Sequence, residues 1–333
     1  MIQSPARPIT RNLPAGKNAA QATFFIHNSQ ITDKEEVQRL RKLGIPPAWK
    51  DVTIAQRPTA KIQATGIDAA GRTQYIYSTS FRTRQEKAKF EKILRFAEAL
   101  PDMRKIIEKD LSLRELEKAK VLATIVHIMD HTYMRVGNEM YAREHQHYGV
   151  TTLRSRHTTV KGDVVIFDFV GKSGQEHHQT ITDRRLTRIV KKLDDLPSYE
   201  LFQYQDSGGN LHLINSQDVN EYIKAVMGNE FSAKDFRTWA GTMLATSELA
   251  LSARADTTGA RKKAITTAVK KVAKRLGNTL AIARASYIDP RIFNFYMKND
   301  KLAELWTTMQ HMKPRKYMQP EEVCVMELLT TVK

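Results

Sequence analysis

Cysteine is nearly absent: Cys324 is the one thiol in 333 residues. A single thiol excludes an internal disulfide framework, and it excludes zinc ribbons and fingers built on cysteine pairs. It fits a reducing compartment. Long apolar runs are also missing. No stretch reaches the ~18 apolar residues of a membrane-spanning helix. The opening residues, MIQSPARPITRNLPAGKNAAQ, lack the apolar centre of a secretory signal. They carry no acid, which leaves an organelle transit peptide or a flexible basic arm, and the arm is the better fit. Nucleotide-binding signatures are absent too. Gly171-Lys172-Ser173 ends like a phosphate-binding loop, but that motif needs a glycine where Ile166 stands, and it must open into a helix rather than lie between two strands. No glycine-rich dinucleotide fingerprint is present. Histidines such as His177 and His178 do not have metal-ligand spacing. No metal and no cofactor is therefore expected.

Acid is scarce relative to base. Lys and Arg number 53 against 36 Asp and Glu, a net charge of +17 that calls for a negative partner. Nucleic acid is the first candidate, because neutralising phosphates releases counterions; an anionic membrane surface is the second. Hydrophobic residues make up 41% of the chain, enough to build a substantial core around which that charge is displayed.

The patterning divides the chain in three. Residues 1–22, broken by Pro5, Pro8, Pro14 and Gly16, read as the flexible arm. Residues 23–79 consist of short, turn-rich segments. Gln74-Tyr75-Ile76-Tyr77 alternates after Ala70-Gly71, as a hairpin strand does. This stretch reads as a small β-rich domain. From residue 80 to 333 the period becomes helical. Thr83 with Glu86 forms a capping-box pattern for a helix that Pro101 should end. Ser112 with Glu115 forms a second, for a helix closing near Gly137. DVVIFDFV (163–170) and EHHQTITD (176–183) read as the arms of a single hairpin turning at GKSG. Ser232 should cap a helix bearing Phe236 and Trp239. A cationic helix should run from Thr258 to Leu276, stopped by Gly277, and Asn278 can cap the next, which bears Tyr287. Asp289-Pro290 should start another. The fold class is α+β: a small β-rich N-terminal domain plus a larger, mainly α-helical catalytic domain with an embedded hairpin.

Four residues stand where a phosphate could sit. Arg135 lies at a helix end, where it would also complement the helix dipole. Arg237 lies near a helix start, which already favours anions, and its guanidinium adds a bidentate fork. Lys172 lies at a hairpin tip, from which a long side chain reaches outward. Tyr287 lies among small residues in IARASYIDP. Taken singly, each has an ordinary structural explanation. Their joint occurrence in this order is the signal.

These segments resemble the type IB DNA topoisomerases in the compact form found in bacteria and poxviruses. The resemblance runs from about Phe24 onward. It rests on MRVGNEMYAREHQHYGVTTLRSRH, FDFVGKSGQEH, KDFRTWAGT and SYIDP, with GIPPAWKDV and GIDAAGRTQYIY in the β-rich part. It implies two domains clamped around duplex DNA, a monomer, and residence in the bacterial cytoplasm on the nucleoid. By motif, Arg135 and Arg237 match the arginines that bind the scissile phosphate. Lys172 matches the lysine that protonates the leaving oxygen, and Tyr287 matches the nucleophile. The fifth family position is a histidine in the poxvirus and nuclear enzymes. Here it is Asn278, in a RLGNT pattern like that of the bacterial branch. An amide donates a hydrogen bond but cannot move a proton, so Asn278 either stabilises charge or serves as a helix cap. Gln74, Tyr75 and Tyr77 match positions that touch DNA, although the tyrosines could equally face a small core. Tyrosine recombinases share this chemistry, but they carry histidine where Lys234 stands here. A DNA-binding architectural protein would explain the charge and not the four residues.

Overall fold

The computed structural model describes residues 8–14, 16–252, 255–298, 301–311 and 315–331. Two compact units divide between Lys89 and Phe90. The first is a six-stranded antiparallel sheet of β1 (Ile9–Asn12), β2 (Thr23–Ile26), β3 (Ser29–Gln30), β4 (Lys50–Ile54), β5 (Ile62–Ile67) and β6 (Thr73–Tyr77), in the order β3-β2-β1-β4-β5-β6. Helix α1 (Lys34–Lys42) is capped by Asp33, whose carboxylate accepts from the Glu36 N–H at 2.8 Å. It buries Leu40 in a core with Ile9, Phe24, Val52, Ile54 and Ala64.

Of the stretch read as an arm, residues 1–7 and 15 lie outside the described residues, and Ile9–Asn12 form β1 within the sheet, paired to β2 on one side and β4 on the other. Two facts explain it. Ile9 is fully buried. Arg11 donates to the backbone oxygens of Ile45, Pro46 and Trp49 and so supplies partners to a proline loop that cannot pair with itself. Pro8 and Pro14 flank the strand rather than interrupt it.

The second unit is mainly helical. Helix α2 (Thr79–Leu111) begins before the expected Thr83 cap and continues through Pro101. Proline in a helix interior costs about 3 kcal/mol. Burial of Phe90, Ile93, Phe96 and Leu100 before it, and of Met103 and Ile107 after it, outweighs that cost. Helix α3 (Lys118–Thr132) is buried on nearly every side and forms the centre of the unit. It starts after the Ser112–Glu115 pattern and ends at Tyr133, in the left-handed region (φ 61°), well before Gly137. Then come α4 (Glu139–His145), a sheet of β7 (Thr158–Lys161), β8 (Val164–Val170) and β9 (Glu176–Thr182), and α5 (Arg184–Asp194). The expected hairpin is therefore the edge of a three-stranded sheet. A short hairpin, β10 (Gln203–Gln205) and β11 (Leu211–Leu213), leads to α6 (Ser216–Met227), α7 (Ala233–Ala250), α8 (Thr258–Leu276), α9 (Leu280–Ser286), α10 (Pro290–Lys298), α11 (Leu302–Gln310) and α12 (Pro320–Thr331).

A buried ionic group fastens the last helix to the centre. Arg104 on α2 binds Asp130 on α3 at 2.7 Å and Glu322 on α12 at 2.6 Å, and the Trp239 indole of α7 donates to Glu322 at 3.0 Å. Every carboxylate in the group has a hydrogen-bonded cation, the condition under which buried charge is tolerated.

Candidate active site

The site is assembled where the C-terminal ends of α3 and α8 meet α7. At the end of α3 the left-handed Tyr133 turns the chain away, and Arg135 follows two residues later. The backbone carrying Arg135 is held on both sides: its carbonyl accepts from the Val150 N–H at 2.9 Å, and that of Val136 from the Thr151 N–H at 2.7 Å. The approach is so close that a Cβ on Gly149 would stand 2.5 Å from the Gly137 nitrogen. Helix α8 ends in the left-handed Gly277 (φ 59°), which turns the chain into Asn278.

Arg237, on α7, is 3% exposed. It donates to the Tyr133 carbonyl at 2.6 Å and to the Leu276 carbonyl at 2.7 Å, two oxygens left over at helix ends. Its Nε is buried and, among the described residues, without a partner. Arg135 donates to the Gly277 carbonyl at 3.0 Å and to Asn278 Oδ1 at 2.5 Å. That contact commits the amide oxygen, so Asn278 presents its Nδ2, which is buried and, among the described residues, unpartnered. The helix cap that Asn278 could have provided is made by Thr279, whose hydroxyl accepts from the Ile282 N–H at 3.3 Å.

Tyr287 is not within a helix but at the cap position just past α9. The guanidinium carbon of Arg237 lies 5.0 Å from its ring centroid. Its backbone is seated against α7, where a Cβ on Gly241 would stand 2.3 Å from the Tyr287 carbonyl oxygen. The Thr242 hydroxyl accepts from the Asp289 N–H at 3.1 Å just beyond. Burial by itself pushes the phenol up. The charge and hydrogen bond of Arg237, then the charges of Arg135 and Lys234, outweigh it and hold the phenol below the ordinary tyrosine value. The Arg135 guanidinium is brought down to about 10 by burial and by Arg237.

The structure thus brings Arg135, Arg237, Asn278 and Tyr287 together. Lys172 stands apart, exposed at the tip of the β8–β9 hairpin, and among the described residues no hydrogen bond or ion pair holds its side chain. The three residues of the β-rich unit lie on β6. Tyr75 and Tyr77 share one face, their rings 6.2 Å apart, with Tyr75 38% exposed. They do not pack in the core, whose side of the strand is taken by Ile76. Gln74 alternates to the opposite face and donates to Asp68 at 2.9 Å.

Other residues at the site carried no signal of their own in the sequence. Lys234 stands out in the sequence only as a family marker. Gly241 is needed for close approach, which a glycine in a helical segment does not announce; Gly277 is legible as a helix stop but not as a neighbour of the site. His177 lacks metal-ligand spacing and so carries no signal as a ligand. Its ring now lies beside Gly277, and burial with the charges of Arg135 and Arg237 lowers its pKa to about 4. Among the described residues no group of three or more His, Cys, Asp or Glu side chains could hold a metal ion.

Two guanidiniums and an amide, with N–H groups unused among the described residues, stand beside a tyrosine, a donor set able to receive an anionic group. Comparison with known proteins gives the family. Residues 78–313 match the family described as "Eukaryotic DNA topoisomerase I, catalytic core". Residues 24–68 match "Bacterial DNA topoisomerase IB, N-terminal domain". The chain is 34% identical over 283 residues to the DNA topoisomerase 1B of Acanthamoeba polyphaga mimivirus, covering 83% of this chain and 84% of that protein. It is 23% identical over 281 residues to the DNA topoisomerase 1B of Vaccinia virus (strain Copenhagen), covering 82% and 85%. This chain, a DNA-binding isomerase with an N-terminal domain of the bacterial kind, belongs to the type IB DNA topoisomerases.

Proposed function

We propose that the protein relaxes supercoiled duplex DNA through a covalent DNA–(3′-phosphotyrosyl) intermediate on Tyr287. The observation that carries this reading is the pair of unpartnered buried donors, Arg237 Nε and Asn278 Nδ2, beside a phenol whose ionisation is eased. Buried donors without partners are costly, and a phosphate oxygen satisfies them.

The steps follow. The basic chain closes as a monomer around duplex DNA, its two units forming a clamp, with Tyr75 and Tyr77 as an aromatic contact face. Tyr287 Oη, its proton released to solvent, attacks a backbone phosphorus; the new P–O bond forms as the bond to the 5′ oxygen breaks. Arg135, Arg237 and Asn278 stabilise the added charge of the pentacoordinate state, each such preorganised donor being worth about 3–4 kcal/mol by analogy with oxyanion holes. Lys172 protonates the departing 5′ oxygen and takes the proton back on resealing. One phosphoester replaces another, so the energy of the broken bond is retained and ATP is not needed. Guanidinium and ammonium groups supply the positive charge that a metal would otherwise supply. While the strand is open, the free end swivels and torsional strain is released. The cell compartment that fits is the cytoplasm of a bacterium, on the nucleoid.

The test is relaxation of supercoiled plasmid in EDTA without ATP, wild type beside Tyr287→Phe. Relaxation by the wild type alone, with DNA binding equal in both proteins, is the expected result. Relaxation by Tyr287→Phe, or none by either protein while both bind DNA, would overturn the proposal.

A further inference from the structure

Lys172 reaches the phosphate only if its turn is held in place, yet no contact of its own side chain does this. The turn has two glycines near it that matter for another reason. Gly171, immediately before Lys172, has an ordinary backbone (φ −97°), so conformation does not demand glycine there. Space does. A Cβ at Gly171 would stand 2.7 Å from Cδ2 and 2.8 Å from Nε2 of His177. A Cβ at Gly277 would stand 2.8 Å from Cε1 and 3.1 Å from Nε2 of the same ring.

The imidazole is held from its face as well. His177 is the cross-strand partner of Phe169, and the two rings stack with centroids 4.9 Å apart and planes 11° apart. Two residues along the same strand, Gln179 accepts from Arg275 of α8 at 2.6 Å. Strand β9 is therefore fastened to α8 by a hydrogen bond at Gln179 and by ring packing at His177. On the far side of the ring, the Gly277–Asn278 turn is gripped by Arg135. A continuous line of contact runs from the base of the Lys172 turn, through one imidazole, to the phosphate-binding groups.

We infer that His177 is a positioning residue: its ring, wedged between Gly171 and Gly277, sets the Lys172 turn in register with Asn278 and Arg135. It acts through packing and adds no charge of its own, since burial and the neighbouring guanidiniums keep the imidazole neutral. The inference rests on Lys172 being the group that protonates the leaving 5′ oxygen.

The experiment compares single-turnover cleavage of two DNA substrates. One is ordinary; in the other, the bridging 5′ oxygen at the cleavage site is replaced by sulfur, which departs as a thiolate without needing a proton. Lys172→Ala, His177→Ala and Gly171→Ala are measured on both. His177→Ala should cleave the ordinary substrate about 10²-fold more slowly, the scale of a lost general acid. Most of that loss should vanish on the sulfur substrate. Gly171→Ala keeps every side chain of the site but drives a methyl into the ring, and it should behave alike. It also carries the test if His177→Ala does not fold. The double variant should be no slower than His177→Ala, because with the ring gone the added methyl keeps only an ordinary contact, 3.6 Å from the Gln175 carbonyl oxygen. If Lys172→Ala recovers on sulfur while His177→Ala and Gly171→Ala lose equally on both substrates, this inference fails and the role of Lys172 stands. If Lys172→Ala itself does not recover, the role of Lys172 falls and the inference falls with it.

Discussion

Arg237 and Tyr287 are tied by more than proximity: the guanidinium that lies 5.0 Å from the phenol ring is itself fixed by two helix-end carbonyls, those of Tyr133 and Leu276. Its position is set before DNA arrives, so the field it exerts on the tyrosine needs no rearrangement. Arg237→Lys keeps the charge but cannot serve both carbonyls in one plane and still offer an Nε donor. It should cut the cleavage rate by about 10²–10³-fold, the loss seen when one preorganised donor is removed. The phenol is held below its ordinary value in the wild type, so the rise of cleavage rate with pH should shift to higher pH in Arg237→Lys. Single-turnover cleavage across pH measures both effects; an unmoved profile would separate Arg237 from the ionisation of Tyr287.

Asn278 gives its amide oxygen to Arg135 and keeps its nitrogen free. Asn278→Ala should slow cleavage much more than it weakens DNA binding, since the donor acts on charge that develops during reaction. Asn278→Asp should be worse than alanine. Its carboxylate would pair with Arg135 and repel the phosphate. Equal losses of binding and cleavage in Asn278→Ala, or an aspartate variant better than alanine, would count against the assigned role.

Gly241 gives α7 room for the backbone of Tyr287. In an unconstrained helix, glycine to alanine is stabilising by about 1 kcal/mol. Here the methyl would overlap the Tyr287 carbonyl and displace Tyr287, the proposed nucleophile. Gly241→Ala should lower cleavage by about 10²-fold, the cost of a misplacement near 1 Å, and overpacking should lower Tm rather than raise it. A fully active, more stable Gly241→Ala protein would show that the two backbones are not in the contact described.

Arg104, Asp130, Glu322 and Trp239 form one buried group. Glu322→Ala strips Arg104 of one carboxylate and leaves the Trp239 N–H unsatisfied. It should destabilise the catalytic unit by about 3–5 kcal/mol, as breaking a buried pair does. Chemical unfolding gives the value. A change within about 0.5 kcal/mol, the range of unremarkable surface substitutions, would mean that α12 is not fastened there.

Burial lowers the pKa of His131, His157 and His177, and at two of them the shift is large. His157, with Arg156 and Arg154 adding repulsion, and His177, with Arg135 and Arg237, both have pKa values lowered to about 4. The Arg154 N–H donates to His157 Nδ1 at 3.1 Å, a bond that protonation of that nitrogen removes. An unfolded chain binds protons at these residues near pH 6.5, so between about 6.5 and 4 it holds more protons than the folded one. Stability should be full above about pH 6.5 and fall as pH drops towards 4. His157→Gln should flatten that decline when Tm is followed against pH.

The parts of the molecule that follow local rules were legible in the sequence. The helix from Thr258 to Leu276, closed by a left-handed glycine, has the ends that its Gly277 signal indicates. Ser232 sits at the start of α7, where its N–H and hydroxyl both reach Asp235. The β8–β9 pairing follows from alternation around a glycine turn. What escaped was decided by distant neighbours. Pro101 stops a helix only when nothing larger opposes it, and the α2 core face does. The Tyr133 cap has no glycine to mark it. Asn278 reads as the cap of α9, but Thr279 makes that bond, because the Asn278 side chain is held by Arg135, 143 residues away in the chain. His177 matters through the absence of two methyl groups opposite it, which no single position records.

Strand β1 has a practical consequence for anyone trimming the protein. The recognisable family segment begins at Phe24, and a truncation placed there would look safe. It would delete the strand that lies between β2 and β4, together with Arg11 and its grip on the Ile45–Trp49 loop. Two unpaired strand edges would then face each other across an emptied slot, each a template for pairing with another molecule. A shortened protein of that kind should be recovered as aggregate, with the fault lying in sheet closure and not in the catalytic residues.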